Sequence, residues 1–393
     1  MKSHMDCLPH LNSLLLSTTN DVKQIYLPTS LALAVLYFPI FLLSIFNRSI
    51  LKISKWILTI PIVIYLLFIP ICQPFCCIPV FNVCIASVGI YYAQKICEWI
   101  LIRRKEFYQW SFFDIQHELF YYRIYTLPIS IKKFKKKKKE IIFSGPIQYD
   151  KHFKSLIYIS CKIIQYYLLM DLIVFFINEV FSTEFYQKYY KKFLFIQIII
   201  NQSSGFIVYL LFSLNYDILR YVLCLIFNRP LELMPELFQQ PYRAISPADF
   251  WSRWHQIFKN TWIELIFKPI SKFILYYWPY SPKFIVNGIS SMCVFLFSGI
   301  IHEYYIYVAF EKFTGDQIKF FILQGLAVCI EYIFKHQFHQ IYIPKSIGFL
   351  LTFIFNGITA SYFMQPWISY FVQRQAFKYS LMNLIIRILS DKY

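Results

Sequence analysis

An all-α, polytopic integral membrane protein with about eight to ten transmembrane helices is the fold class this sequence predicts. Two observations carry the expectation. Of 393 residues, 58% are hydrophobic and only 15% charged, where a soluble domain carries about a quarter charged residues. The apolar residues are also gathered into runs of roughly 20, the length that crosses a hydrocarbon core. Nucleotide bias can enrich Phe, Tyr, Ile and Lys, but it does not space such runs with polar breaks.

Along the chain, the polar start "MKSHMDCLPHLNS" is not a signal peptide, so the first apolar run is expected to serve as the targeting signal and stay in the protein. Candidate spans are 25–46, 56–72, 78–97, 155–181, 193–227, 284–310, 317–335 and 346–371. The segment 193–227 reads as one span or as two broken at "NQSSG", and 257–280 has mixed character. No internal repeat and no separate soluble domain is visible, so 1–393 reads as a single transmembrane domain. The net charge of +18 includes seven lysines in the run Lys132–Lys139. Lying between spans, that run fits a cytoplasmic positive-inside loop that touches anionic lipid, and not a nucleic-acid surface. The stretch "EFYQWSFFDIQHELFYYRIYTLP" mixes aromatics and charges at helical spacing, as an interfacial helix does. The ten cysteines show no CxxC spacing, and Cys72, Cys76 and Cys77 read as small buried hydrophobes.

The least membrane-like part of the second half is Arg229–Phe273. Within it "SPAD" carries a helix start, with Ser246 as N-cap, Pro247 at the first helical position and Asp249 at the third. The expected helix is amphipathic, with Phe250, Trp254, Ile257, Thr261 and Leu265 on one stripe and Trp251, His255, Phe258 and Trp262 on the next. A lone histidine on an apolar stripe is more often packed than catalytic.

A second histidine, His302, lies deep in the span 284–310, just after Ser298 and Gly299. Ionisable residues inside a span are costly and tend to mark function. Glu303 is the next residue and points roughly 100° away on a helix. The pair is not an HExxH metal motif, because Ile306 stands where the second histidine would be. The "HQFH" of His336 to His339 lacks a carboxylate or cysteine to complete a set, so no metal is expected. A neutral imidazole there can act as general base on an alcohol, which then attacks an activated acyl group. The alternative is a histidine that bonds helices together. Gln324 and Glu331 are seven apart on one face of a later span, and line something polar. Asp171 in "LLMDLIVFF" is a further intramembrane charge, read as a helix–helix hydrogen bond.

Two segments together resemble a known family. "DFWSRWH", Asp249 to His255, is similar to the FWxxW(N/H) signature of membrane-bound O-acyltransferases, and "FLFSGIIHEYYIY" to their downstream histidine segment. The "HEY" resembles the sterol and diacylglycerol acyltransferases. "PELFQQPYRAISPADFWSRWHQ" and "FFILQGLAVCIEYIF" look more like the wax synthase branch, several members of which carry one residue more in the FW motif. The likeness covers roughly 228–370. It implies helices around an intramembrane reaction chamber, in the endoplasmic reticulum, where acyl-CoA meets a lipid alcohol. His302 matches the catalytic histidine and His255 the second motif residue. Trp251, Arg253, Trp254, Ser298, Glu303, Gln324 and Glu331 are the expected substrate-binding residues, and Asp249 a cap. No cofactor is implied beyond acyl-CoA as co-substrate. The resemblance allows a homo-oligomer, though no residue marks an interface. The rival expectations are acylation of a protein, lysophospholipid or polysaccharide, and a non-enzymatic transporter. The last is disfavoured by only nine glycines and no repeated broken spans.

Overall fold

The computed structural model describes residues 19–46, 55–72, 79–107, 109–120, 149–180, 188–190, 192–227, 236–254, 256–337 and 343–373. The described elements are helical. The longer helices are α1 (Thr19–Phe46), α2 (Lys55–Cys72), α3 (Pro79–Cys97, running on as a π turn over Glu98–Ile102), α4 (Arg104–Phe107), α5 (Phe112–Phe120), α6 (Tyr149–Val180) and α7 (Leu194–Phe227). They continue with α8 (Pro247–Arg253), α9 (Gln256–Trp262, then a π turn over Ile263–Phe267), α10 (Lys268–Tyr277), α11 (Lys283–Phe310), α12 (Asp316–Gln337) and α13 (Lys345–Gln373). Among the described residues, six helices are long and apolar enough to cross a membrane: Pro79–Ile102, Leu156–Phe175, Leu194–Leu225, Lys283–Phe310, Asp316–Gln337 and Lys345–Tyr370. Two shorter apolar helices, Leu31–Ile45 and Trp56–Ile71, accompany them. The chain is a polytopic all-α membrane protein. The Lys132–Lys139 run, Cys76, Cys77 and the polar start lie outside the described residues.

The chain divides into two compact units. The first takes residues up to Leu119 and Asn260–Gly325. In it α1, α2 and α3 bury Leu36, Ile40, Leu66, Ile85 and Ile96 in one core with Trp99 and Phe107. Trp99 stacks on Phe107 at 5.8 Å, with the Trp110 ring edge-on. α2 and α3 touch closely at Gly89, where a Cβ would sit 2.7 Å from the Leu66 carbonyl oxygen. Small residues make such approaches feasible in membranes. The π turn of α3 holds Glu98, fully buried, 3.9 Å from both Lys95 and Arg103 and accepting from Thr261 Oγ1 at 3.1 Å. Arg103 also binds Glu118 at 3.0 Å and lies over the Trp110 ring. Sequence reading missed this buried ionic cluster, because its members are scattered over 24 residues and join Thr261, near the end of α9, 163 residues after Glu98.

The second unit takes Phe120–Lys259 and Leu326–Tyr393. Its long helices α6 and α7 pack side by side, and α13 packs on α7. Of the two readings of 193–227 the single span is found, since α7 runs unbroken through "NQSSG". Asn201 explains why. Its amide donates to the Gly357 carbonyl of α13 at 2.8 Å, and its Oδ1 accepts from the Tyr190 hydroxyl at 2.8 Å. Gln202 likewise donates to the Phe353 carbonyl. Polar side chains satisfied across a helix pair belong inside a bundle and need no exit to water. Asp171 is buried on α6. Lys162 of α6 bonds Glu236 and lies 3.5 Å from Asp217, which pairs with Arg220 at 2.7 Å.

Candidate functional site

The FW segment belongs to the second unit. α8 starts as its sequence requires, with Ser246 accepting from the Asp249 amide at 3.2 Å and Pro247 at the first position. Asp249 accepts from the Ile245 amide at 3.1 Å and from Arg253 Nε at 2.7 Å. Burial pushes the Asp249 carboxyl up. Those two hydrogen bonds and the charges of Arg253 and Lys335 outweigh it and hold the carboxyl below the usual carboxylate value. A second carboxylate reaches the same helix end from far along the chain, for Glu331 Oε2 accepts from the Ala248 amide at 2.8 Å while Oε1 takes Lys335.

The expected single amphipathic helix through Leu265 is corrected. α8 stops at Arg253, Trp254 is extended (φ −87°, ψ 146°), and α9 starts afresh at Gln256. No glycine or proline sits at the break. Two backbone hydrogen bonds make it, Gln239 N–H to Arg253 O and Gln256 N–H to Leu237 O, both 2.9 Å. They tie the break to the loop that leads into α8. Trp254 then turns inward onto Phe238, with ring centres 4.6 Å apart, and onto Phe250 at 5.3 Å. Trp251 meets Phe250 edge-on at 5.3 Å. His255 lies outside the described residues.

Because Asp249 is anionic and bonded when folded, its pKa is lower folded than unfolded. Its contribution to stability is therefore full above the unfolded value of about 3.9 and is lost as pH falls from there through the folded value. Asp249→Asn is expected to lower stability by about 1 kcal/mol at pH 7, and to flatten the loss of stability below about pH 4. Thermal unfolding of the detergent-purified protein across pH 3 to 7 checks both.

The histidine segment belongs to the first unit. His302 is half-buried on α11. Its Nδ1 lies 2.8 Å from the Ser298 carbonyl oxygen, one helical turn earlier. A carbonyl only accepts, so Nδ1 carries the proton and the neutral ring keeps its lone pair on Nε2. Phe321 of α12 lies 4.6 Å from the imidazole, and Tyr305 meets it edge-on at 5.5 Å. α12 comes this near because of Gly299, where a Cβ would stand 3.0 Å from Ile318 Cα and 3.3 Å from Phe321 Cβ. Ser298 is buried, and Gln324, one turn past Phe321, is wholly so.

Glu303 is 1% exposed and faces the turn between α11 and α12. Glu311 and Gly315 make that turn with positive φ, 53° and 74°. Glu303 Oε1 accepts the Thr314 and Gly315 amides at 2.6 and 2.7 Å and the Thr314 hydroxyl at 3.2 Å. Oε2 accepts the Gln317 amide at 3.1 Å. The carboxylate thus satisfies the open donors at the start of α12, where the helix dipole also favours a negative charge. Glu303 and Glu331 were expected to bind substrate, and in the structure both bond backbone amides at helix starts. Among the described residues no group of three or more His, Cys, Asp or Glu could hold a metal.

Residues 234–323, which contain both segments, match the membrane bound O-acyl transferase family. Over those residues the chain is similar to that family. Two proteins of Arabidopsis thaliana, "Probable long-chain-alcohol O-fatty-acyltransferase 6" and "Probable long-chain-alcohol O-fatty-acyltransferase 7", are similar to it. The first is 26% identical over 165 residues, covering 40% of this chain and 45% of that protein. The second is 25% identical over 163 residues, covering 40% and 46%. The chain therefore matches less than half the length of these relatives. The resemblance read from the FW and histidine segments, to membrane-bound O-acyltransferases of the wax synthase type, stands.

Proposed function

We propose that this membrane bound O-acyl transferase relative moves a fatty acyl group from acyl-CoA to a lipid hydroxyl, with a long-chain alcohol as the first acceptor and a sterol or diacylglycerol next. The observation that carries the mechanism is the bond from His302 Nδ1 to the Ser298 carbonyl. It orients the imidazole with Nε2 as the basic atom. Nε2 takes the proton of the acceptor hydroxyl as the oxygen attacks the thioester carbonyl. The tetrahedral intermediate collapses, the C–S bond breaks, and the CoA thiolate leaves with that proton. Apolar walls such as Phe321 keep water, the competing nucleophile, away from the acyl group.

In this reading His255 orients the thioester or stabilises the oxyanion. Trp251, Arg253 and Trp254 of the FW segment bind substrate, as do Ser298 of the histidine segment and Gln324 of α12. Glu303 and Glu331 hold the helices that present them. Residues 1–393 act as one acyltransferase domain in the endoplasmic reticulum, where acyl-CoA and lipid alcohols are made. The test uses microsomes of a neutral-lipid-deficient host that expresses the chain. They receive labelled oleoyl-CoA with fatty alcohol, sterol or diacylglycerol. A new ester with one acceptor is expected, and no ester with any of them overturns the reading.

A further inference from the structure

A second feature of the first unit lies away from His302. α10 and α11 meet at the corner Tyr277–Lys283 and leave a cleft of about 410 Å³ between them. Its walls are almost wholly apolar, with Phe267, Leu275 and Val286 in them, and the lysines Lys268, Lys272 and Lys283 stand among its lining residues. The volume falls within the range of lipid and small-ligand pockets. Among the described residues, the carboxylate that pairs with one of these lysines is Glu264, on Lys268. Lys272 and Lys283 make no ion pair with any described residue. An apolar slot beside two uncompensated cations suits an amphiphile with an anionic head.

The depth of the cleft points to the kind of amphiphile. α11 enters its apolar span at Lys283, so the cleft opens at the first turns of a membrane-crossing helix. The corner beside it carries Tyr276, Tyr277, Trp278 and Tyr280, of which Tyr276 is 79% and Tyr280 99% exposed. Exposed Tyr and Trp gather at headgroup level, where their rings have one apolar and one wet side. α10 adds the pattern of an interfacial helix, with Ile274 buried and Lys272 turned outward. The start of α11 also has no side-chain cap, so its dipole favours an anion at the same place. The Ser271 and Ser290 hydroxyls bond each other at 2.8 Å, which holds α10 against α11 and keeps the cleft formed.

We propose that this cleft binds one anionic phospholipid of the surrounding bilayer, its phosphate on Lys272 and Lys283 and an acyl chain between Phe267, Leu275 and Val286. Lys268 stands beside the phosphate, its charge shared with Glu264. The lipid is not the acyl acceptor. Val286 and His302 are 16 residues apart on α11 (302 − 286), roughly 24 Å at 1.5 Å per residue. The bound lipid instead braces the α10–α11 corner.

Native mass spectrometry of the full chain, purified in mild detergent and mixed with phosphatidylglycerol or phosphatidylcholine, tests this without reference to acyl transfer. One phosphatidylglycerol is expected to be retained about tenfold more tightly than phosphatidylcholine. The paired Lys272→Gln and Lys283→Gln variant is expected to retain phosphatidylglycerol roughly thirtyfold less tightly, and the corresponding arginine variant to retain it fully. Both replacements are on the surface, and an unchanged elution volume shows that the fold is kept. Equal retention of the two lipids, or an unchanged glutamine variant, overturns the proposal. So does displacement of phosphatidylglycerol by one equivalent of oleoyl-CoA, since the lysines would then serve an acyl donor's phosphates.

Discussion

Replacing His302 by alanine is expected to abolish acyl transfer while leaving the protein folded in the membrane. The ring contacts Phe321 and Tyr305, and neither the Ser298 bond nor those contacts closes a helix end or a charged cluster. The structural loss is therefore modest beside the loss of a base, which costs about 10²- to 10⁴-fold in rate. His302→Gln separates the two effects. An amide can still donate to the Ser298 carbonyl, but it cannot take a proton from an alcohol, so it should be as inactive as alanine. Initial rates of ester formation per mole of detergent-purified protein give the comparison. A glutamine variant within threefold of the unsubstituted protein would sink the general-base role.

Glu303→Ala is expected to be the most destabilising single change in the same helix, by about 3 kcal/mol. It strips three amides and a hydroxyl of their acceptor in a buried setting, at a helix start. Glu303→Gln should recover only part of this, because an amide offers one oxygen and turns its NH₂ toward another donor. The apparent Tm in detergent reads the effect. An unchanged Tm with a raised KM for acceptor or donor would place Glu303 at the substrate and not at the helix.

The sequence already showed most of what hydropathy controls. Runs of apolar residues located the spans, and "SPAD" located the start of α8 to the residue. Long-range bonding stayed hidden. "NQSSG" left a break possible because nothing local says that Asn201 reaches Gly357. The end of α8 was invisible because the bonds that make it come from Leu237 and Gln239. The bonds of Glu303 and Glu331 to backbone amides were hidden for the same reason. Capping signatures are legible when the acceptor lies within four residues of the helix start. Glu303 caps a helix 13 residues on (316 − 303), and Glu331 reaches back 83 residues to Ala248. The histidine segment, in contrast, stood out because an imidazole inside an apolar run is costly, and its role as a base was read from the resemblance.

The bond between His302 Nδ1 and the Ser298 carbonyl has a further consequence for how protons travel. A carbonyl oxygen in a helix can hold a proton's hydrogen bond but cannot pass the proton on. For the proposed base, a proton taken up at Nε2 is not handed on through Nδ1. Under the mechanism proposed above, the proton taken from an attacking alcohol would therefore stay on Nε2, at the reacting side of the ring, for the departing thiolate.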